Sequence, residues 1–262
     1  SGGRVTYFLT LNDTEVPVIN NYNTTPETAV YGENITVFAN VTDNVAVTVV
    51  NVSINGTNHT MNPVSGDIYS YVFNTTDYLV GTYNYTLYAL DNNGNVALPQ
   101  NGNFTITKAG SILELYLNGT QNNRSFAEDE QVNITAILLV PAGSASLIQI
   151  YVNGSTAANT STPAVNISSY EPGSYNVTAV FQGNENYTSS TKNLIFTIND
   201  TTAPVINNHN ATPNSTSYKN NITIYANVTD NVAVQEVNVS IQGNNHTMIP
   251  QGGDIYSFTF NT

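Results

Sequence analysis

The spacing of asparagine relative to serine and threonine is the strongest chemical signal in this chain. The pattern Asn-x-Ser/Thr occurs 25 times, whereas composition alone would give about nine, and this pattern is the acceptor for N-linked glycans. A strand also favours the spacing, because positions i and i+2 share one face. Asn is nevertheless a poor strand residue, so glycosylation is predicted at several of the following acceptors: Asn23, Asn34, Asn40, Asn51, Asn58, Asn74, Asn84, Asn103, Asn118, Asn133, Asn153, Asn166, Asn176, Asn186, Asn210, Asn221, Asn227, Asn238 and Asn245.

Carboxylates form the second chemically capable group, because hard cations such as Ca²⁺ are bound by several oxygen ligands at once. Many of them stand in turn-like segments rather than in apolar runs, as at Asp13, Glu15, Asp43, Asp67 and Asp91. The alternative is that they are solvated turn residues, because Asp commonly caps turns. Both interpretations stay open at the level of sequence.

Catalytic chemistry has no support in the sequence. Cys is absent, which excludes thiolate metal sites and Cys nucleophiles, and no serine-hydrolase, zinc or phosphate-loop motif occurs. His59 and His246 are equivalent positions of an internal repeat, and His209 replaces Tyr22. We expect surface strand residues at these positions. No residue is assigned as catalytic, and the chain is predicted not to be an enzyme.

The net charge of -13 disfavours nucleic acid, which requires a basic face. No apolar run approaches the roughly 18 residues of a membrane span, and the opening Ser-Gly-Gly-Arg is unlike a signal peptide. We therefore predict no nucleic-acid partner and no membrane span in this segment.

The elements that must position these groups are strands. Turn signals such as Asn55-Gly56 and Asn118-Gly119 separate short runs rich in Thr, Val, Ile and Tyr. Strands spaced about 8–12 residues apart predict an all-β fold built from sandwiches. Apolar and polar residues alternate in the manner of half-buried strands in Asn34–Thr42, Val50–Ile54, Tyr69–Phe73 and Thr82–Leu90.

One long segment occurs twice. Residues 13–75 align with 200–262 without a gap, and 42 of the 63 positions are identical. A long fixed period indicates an array of modules. The repeat predicts four segments: the last strand of a preceding module at 1–13, module A at 14–107, module B at 108–199, and an incomplete second module A at 200–262.

The second copy lacks equivalents of two strands of the first, at Thr82–Leu90 and Asn103–Thr107. Without them a sandwich exposes apolar faces and unpaired strand edges. We expect either that the polypeptide continues as a longer array, or that a neighbouring subunit donates strands.

Several segments resemble bacterial and archaeal Ig-like surface modules. Asp200–Ile206 with Val228–Asn231 is similar to their opening, Tyr88–Asn95 to their penultimate strand and loop, and Gly173–Ala179 with Gly183–Tyr187 to a second group of bacterial Ig-like repeats. The resemblance implies an all-β fold of tandem Ig-like sandwiches in an extended array, outside the cell. It implies a scaffold rather than a chemistry, because such modules occur in adhesins, surface layers, filaments and secreted enzymes. The Asn- and Thr-rich, Lys-poor composition is more typical of an archaeal surface protein.

The Ig plan places the N-terminus and the BC, DE and FG loops at one end of the sandwich. The acids of module A named above, with Asn93 and Asn95, are expected at that end, and acids of module B at its opposite end. At the B-to-A junction the two groups would meet. We predict a calcium site there, with ordinary turn residues as the alternative, formed from Glu128, Asp129, Glu130, Asp200, Asp230 and Asp254.

Tyrosines cluster in the late strands of module A, at Tyr69, Tyr71, Tyr83, Tyr85 and Tyr88. They offer either a sugar-stacking platform or rings that fill the sandwich while the hydroxyls stay in water. Because Trp is absent, the second interpretation is favoured.

Together these features predict a structural, N-glycosylated, extracellular cell-surface protein. It would build a surface layer, a filament or an adhesin stalk, and associate with copies of itself. The alternatives are an adhesin module that binds carbohydrate or a host surface, and the non-catalytic Ig-like tail of a secreted hydrolase.

Overall fold

A computed structural model describes residues 4–7, 11–143 and 146–262. These residues form an all-β chain of three successive Ig-like units, each with a hydrophobic cluster of its own. The fold class predicted from the sequence is therefore confirmed.

The first unit is a complete two-sheet sandwich. One sheet has the strand order β1-β3-β7-β6 and the other β2-β9-β8-β4-β5. All pairs are antiparallel except β2 with β9, the arrangement of an Ig-like fold in which the first strand divides between the two sheets. The strands are β1 Val18–Thr25, β2 Thr28–Val30, β3 Asn34–Thr42, β4 Val47–Ile54, β5 Thr57–Thr60, β6 Asn62–Ser65, β7 Ile68–Asn74, β8 Gly81–Asp91 and β9 Gln100–Thr107.

The period-2 alternation of the sequence is reproduced as burial. In β3 every second residue from Ile35 to Val41 is buried, while its neighbours face outward or are half-buried. The core between the sheets is closed by Phe73 from one side and Leu87, Phe104 and Ile106 from the other. Successive strand residues point to opposite faces, so the same alternation that fills this core places polar residues outside.

The second unit repeats the plan with different strands. Its sheets have the orders β10-β12-β15 and β11-β17-β16-β13-β14, and β11 runs parallel to β17. The strands are β10 Ile112–Leu117, β11 Arg124–Ala127, β12 Val132–Val140, β13 Leu147–Val152, β14 Ser155–Ser161, β15 Ala164–Ser168, β16 Gly173–Phe181 and β17 Ser190–Asn199.

The third unit keeps one sheet of the first and only a fragment of the other. Its four-stranded sheet β18-β19-β23-β22 matches β1-β3-β7-β6, whereas the opposite layer, in the part of the chain described, is the two-stranded β20-β21. The strands are β18 Val205–Thr212, β19 Asn221–Thr229, β20 Asn238–Ile241, β21 Asn244–Thr247, β22 Ile249–Gly252 and β23 Ile255–Asn261.

The predicted last strand of a preceding module, at 1–13, lies partly outside the described residues, which omit 1–3 and 8–10. Residues 4–7 and 11–13 have no strand assignment, so that assignment stays a prediction. Within the described ranges the structure contains no helix that is long and apolar enough to span a membrane.

Candidate functional site

Three carboxylates converge at one end of the first unit. Oxygen atoms of Asp13, Asp43 and Asp91 all lie within 4.8 Å of one another. Asp13 precedes β1, Asp43 follows β3, and Asp91 is the last residue of β8. The Ig topology brings these three chain segments to the same end of the sandwich, so residues far apart in sequence meet in one place.

Asp91 is the buried member of this group, which we call the acid cluster. Its side chain is only 2% exposed. The backbone N–H groups of Asn93 and Asn95 donate to its Oδ1 at 2.8 and 2.7 Å, and the Asn95 side chain donates to Oδ2 at 2.6 Å. Burial raises the pKa of the Asp91 carboxyl, but the hydrogen bonds from Asn95 and Asn93 together outweigh it and hold the pKa below its usual range. Asp91 is therefore an anion at neutral pH.

Asp43 presents an oxygen without a partner. Its Oδ2 accepts hydrogen bonds from the backbone N–H groups of Val45 and Ala46 at 2.9 and 3.0 Å. Its Oδ1 is buried and has no hydrogen bond to any described residue. A buried polar atom without a partner costs free energy. A ligand bound at Asp43 Oδ1 would remove this cost.

Asp13 joins the segment before the first unit to the loop after β8. Its Oδ1 accepts from the backbone N–H of Glu15 at 3.0 Å and from the Asn44 side chain at 3.2 Å. Its backbone carbonyl accepts from the side chains of Asn93 and Asn95, both at 3.3 Å. Asn95 thus contacts two members of the acid cluster.

The acid cluster fits a hard divalent cation. Carboxylate and carbonyl oxygens are the ligands that Ca²⁺ takes in proteins, and a cation would relieve the repulsion among three carboxylates in close proximity. The unpartnered Oδ1 of Asp43 is the observation that separates this group from ordinary turn acids.

The other two acids expected at this end do not join the cluster. The backbone N–H of Glu15 donates to Asp13, but the Glu15 side chain is not a member of the group. Asp67 is exposed, in the turn between β6 and β7, and its backbone carbonyl accepts from Val41. Both nevertheless lie at the predicted end of the sandwich, because Glu15 adjoins Asp13 and the Asp67 carbonyl meets Val41 near the end of β3.

At the B-to-A junction the structure places one acid across the boundary. Glu128, which follows β11, accepts hydrogen bonds from the hydroxyl of Thr202 and from the side chain of Asn231, the latter at 3.0 Å. The hydrogen bond from Thr202 is the main reason that the pKa of Glu128 lies below its usual range, and Asn231 adds to it.

The six carboxylates predicted to bind calcium there do not converge in the described structure, where the acid cluster is the sole group of three within the ligand spacing. Asp200 and Asp230 accept backbone N–H groups in their own turns, as do their equivalents Asp13 and Asp43. Glu130 accepts from Ala127. Asp129 and Asp254 are exposed.

The A-to-B joint, where the first unit (module A) meets the second unit (module B), has contacts that were not predicted from the sequence. Ala109, between β9 and β10, donates to the Asn186 carbonyl and accepts from Thr188, both at 2.9 Å. The Asn186 side chain accepts from the backbone N–H of Val80 at 3.3 Å, and the rings of Tyr31 and Tyr187 meet edge to face at 5.5 Å. The only sequence signal for this joint was the Gly183–Tyr187 motif, which was interpreted as a mark of the fold.

The predicted glycan acceptors lie toward solvent. All are exposed except six half-buried ones, and none is buried. Asn34, Asn84 and Asn176 are exposed in the middle or at the start of strands, and no described side chain or backbone group hydrogen-bonds to their side chains. The half-buried acceptors are Asn40, Asn51, Asn133, Asn166, Asn186 and Asn227.

The tyrosines of module A are largely structural. Tyr85 is buried, and Tyr69, Tyr71 and Tyr83 pack partly against the core, leaving Tyr88 as the exposed one. Sugar stacking requires accessible ring faces, and this arrangement does not present a set of them.

The histidines pair with aromatic rings. His59 stacks on Tyr71 with ring centroids 4.5 Å apart. Its repeat equivalent His246 stacks on Phe258 at 4.6 Å. His209 is exposed on β18. No histidine takes part in the acid cluster.

No family model matches the chain, and no curated protein matches it. Solved structures of tandem modules do align with it. A tetra-tandem repeat from the extending region of a large adhesion protein is 15% identical, with a TM-score of 0.45, over 94% of this chain and 65% of that one. A 1.5-MDa bacterial ice-binding adhesin is 12% identical, with a TM-score of 0.42, over 95% and 88%.

A Ca²⁺-stabilized adhesin from an Antarctic bacterium is 11% identical, with a TM-score of 0.38, over 95% of this chain and 66% of that one. Each of these is a similarity in fold alone.

Proposed function

We propose that the chain is a structural segment of an extracellular cell-surface protein, in which successive Ig-like units act as stiff, sugar-coated spacers. It has no enzymatic role in this proposal. A surface layer, a filament or an adhesin stalk would use such a spacer, in association with copies of the same protein. The observation that carries the proposal is the A-to-B joint.

That joint leaves no free linker between two complete sandwiches. The connection between β9 and β10 is pinned through Ala109, which makes two backbone hydrogen bonds to the loop before β17. Lys108 adds a third contact, donating from Nζ to the Asn184 carbonyl at 2.6 Å. Each hydrogen bond contributes about 0.5–1.5 kcal/mol net. The Tyr31–Tyr187 contact adds about 0.5–1.5 kcal/mol beyond its buried area. Bending at the joint would break several of these contacts together.

Calcium at the acid cluster would extend the same principle to the other end of module A. Asp13 belongs to the segment that enters the module, whereas Asp43 and Asp91 belong to loops of the module itself. A cation held by all three would tie the entering chain to the sandwich. In this role calcium would cross-link the entering segment to the loops of the sandwich, and its binding would stabilise only the folded state.

Glycans would supply the solubility that charge does not. Only 9% of residues are charged, and the acceptor asparagines are distributed over the exposed faces of all three units. A bulky, hydrated sugar coat protects exposed strands from proteases and from edge-to-edge aggregation.

A distance measurement across the A-to-B joint tests the spacer. Because Cys is absent, two introduced cysteines at exposed Thr82 and Ser174 can be labelled specifically with nitroxides. Pulsed electron paramagnetic resonance should give a narrow distance distribution in this background. Adding Tyr187→Ala should broaden it, whereas Tyr88→Ala, on the outer surface of β8, should not. A broad distribution before any joint substitution would contradict the proposal.

A further inference from the structure

The outer face of β1 and β3 carries an aromatic ring that the core does not use. Phe38 lies between the buried residues Val37 and Ala39 of β3, so its side chain points to the opposite face of the sheet. Among the described residues it is neither a member of the first hydrophobic cluster nor packed against it. The residue is half-buried, so part of the ring stays accessible from outside the sandwich.

A predicted glycan acceptor stands directly opposite this ring. Asn23 of β1 is the ladder partner of Phe38 in the antiparallel pair β1–β3. Side chains that are directly opposite share one face, with Cβ atoms about 4.5–5.5 Å apart. Asn23 is exposed, and its side chain makes no hydrogen bond to any described residue. Its amide is therefore free to carry a sugar within reach of the ring.

Asn23 and Phe38 line a depression of about 280 Å³ on this outer face, which we call the outer depression. The residues that line it include Asn21, Asn23, Phe38, Asn40 and Ile68. No charged residue lines it in the described structure. An aromatic ring bordered by uncharged amides suits a neutral sugar, because the C–H face of the sugar can lie on the ring while its hydroxyl groups exchange hydrogen bonds with the amides.

The two copies of module A agree on the outward residues of this strand and differ on the inward ones. The outward pairs, which are identical, are Asn21 with Asn208, Asn23 with Asn210, and Thr25 with Thr212. The inward pairs, whose first-copy members lie opposite buried residues of β3, are Tyr22 with His209 and Thr24 with Ala211. Close packing constrains inward residues most strongly. The unchanged outward set therefore points to a role outside the core.

The ring is present in the second copy as well. Tyr225 replaces Phe38, is the ladder partner of Asn210 and is 37% exposed. The exchange adds a hydroxyl group but keeps the ring face, which is the part that a sugar would contact. The same pairing of a glycan acceptor with an aromatic ring thus occurs on the outer face of both copies.

We propose that the sugar attached to Asn23 lies on the ring of Phe38 in the outer depression, and that the sugar attached to Asn210 lies on Tyr225 in the same way. The inference rests on the sugar coat of the proposed function and gives these two sugars a fixed place on the fold. A sugar linked to the residue opposite the ring has an effective concentration on the order of millimolar for the depression. It removes apolar ring surface from water and adds a contact between β1 and β3.

The contact can be measured in the native glycoprotein, once glycopeptide mapping has identified the sugar on Asn23. Nuclear Overhauser effects should connect protons of that sugar to the Phe38 ring. Thr25→Ala removes the acceptor pattern but leaves Asn23 in place. It should speed the amide exchange of β1 and β3 by about two- to fivefold, the range of one cross-strand side-chain pair.

The same substitution in a Phe38→Ser background should have little effect on these amides, because the sugar that it removes has no ring to contact. Val72→Ser is the matched control background. Val72 is 55% exposed on the neighbouring strand β7 and lies outside the outer depression. In that background Thr25→Ala should keep its full effect.

Equal effects of Thr25→Ala with and without the Phe38 ring, or a sugar on Asn23 without contacts to that ring, would overturn the proposal. Glycopeptide mapping separates this failure from a failure of the proposed function. A bare Asn23 beside sugar-bearing Asn34 and Asn176 rejects the contact and leaves the sugar coat in place, whereas bare asparagines throughout reject both. If Asn23 is bare and free N-acetylglucosamine binds the parent but not Phe38→Ser, the depression belongs to an external saccharide, which also overturns the proposal.

Discussion

Tyr85 lies across Gly102 on the neighbouring strand, and a methyl group built on Gly102 would come within 2.3 Å of both Cζ and Oη of the tyrosine. The two residues are direct partners in the β8–β9 ladder. The Tyr85 ring is 3% exposed and therefore has little space into which it can move. Glycine at 102 is thus a packing requirement of the first core.

The substitution Gly102→Ala should destabilise the first unit by about 1–3 kcal/mol, the usual cost of overpacking. Gly81→Ala is the matched control, because its methyl would come no nearer than 3.9 Å to Tyr83. Amide exchange of β8 and β9 in the full chain measures the effect in this unit alone. Protection as strong in Gly102→Ala as in the parent would show that Tyr85 can move aside.

Calcium should raise the thermal stability of the first unit. An ion that binds only the folded state stabilises it by about 2.7 kcal/mol at a concentration one hundred times its dissociation constant. Asp43→Asn keeps an oxygen for the Val45 and Ala46 N–H groups but removes the charge, so it should abolish the response. Asp67→Asn, outside the cluster, should leave the response intact. The measurement is the melting temperature by calorimetry, in calcium and in chelator. Identical melting of the parent under both conditions would refute the site.

Lowering the pH should destabilise the loop that holds Asp91. Burial opposes ionisation of this carboxyl, yet the hydrogen bonds from Asn95 and Asn93 hold its pKa below the usual range. The unfolded chain therefore binds this proton more readily. The stabilising contribution is complete above the unfolded pKa of about 3.9 and is lost as the pH falls through the lower folded value.

Melting of the parent in chelator between pH 5 and pH 2 measures this effect, and Asp91→Asn, which keeps oxygen and cannot titrate, is the comparison. The variant should lose less stability than the parent over that range. Parallel curves for the two proteins would rule out Asp91 as the titrating group.

Glycan occupancy should follow side-chain freedom. Asn34, Asn84 and Asn176 are exposed and their side chains make no hydrogen bond to described groups, so we expect sugars at these sites. Asn186 accepts a hydrogen bond from Val80 at the A-to-B joint, and Asn166 donates to the Ala157 carbonyl at 3.2 Å. These two sites should carry less. Glycopeptide mapping of the native protein gives the order, and bare Asn at the three exposed sites would reject the prediction.

Local patterns determined what could be predicted from the sequence. Alternation along Asn34–Thr42 depends only on the strand period, and it gave the buried face of β3 correctly. The repeat gave the equivalence of β4 with β20 and of β7 with β23 without any knowledge of packing. The Ig plan then placed Asp13, Asp43 and Asp91 at one end.

Local sequence patterns could not predict the contacts between segments that are distant in sequence. The paths of loops decide that Asp67 stays outside the acid cluster, and no periodicity encodes a loop path. The joint through Ala109 and Asn186 depends on how two units meet, and the sequence around Lys108 gives no sign of it. Glu128 was expected as a calcium ligand, whereas its carboxylate already accepts hydrogen bonds from Thr202 and Asn231.

The position of Asp91 as the last residue of β8 has a consequence for assembly order. Asp13 and Asp43 come from segments that are present before the sandwich closes, but the third carboxylate arrives only with the strand that covers the core. If the acid cluster binds calcium as proposed, a module made residue by residue would take up that ion late, after the sandwich has closed. The number of ions bound to an array would then equal the number of modules whose sandwich has closed. A module that has not yet formed β8 lacks the third carboxylate and would bind no ion there.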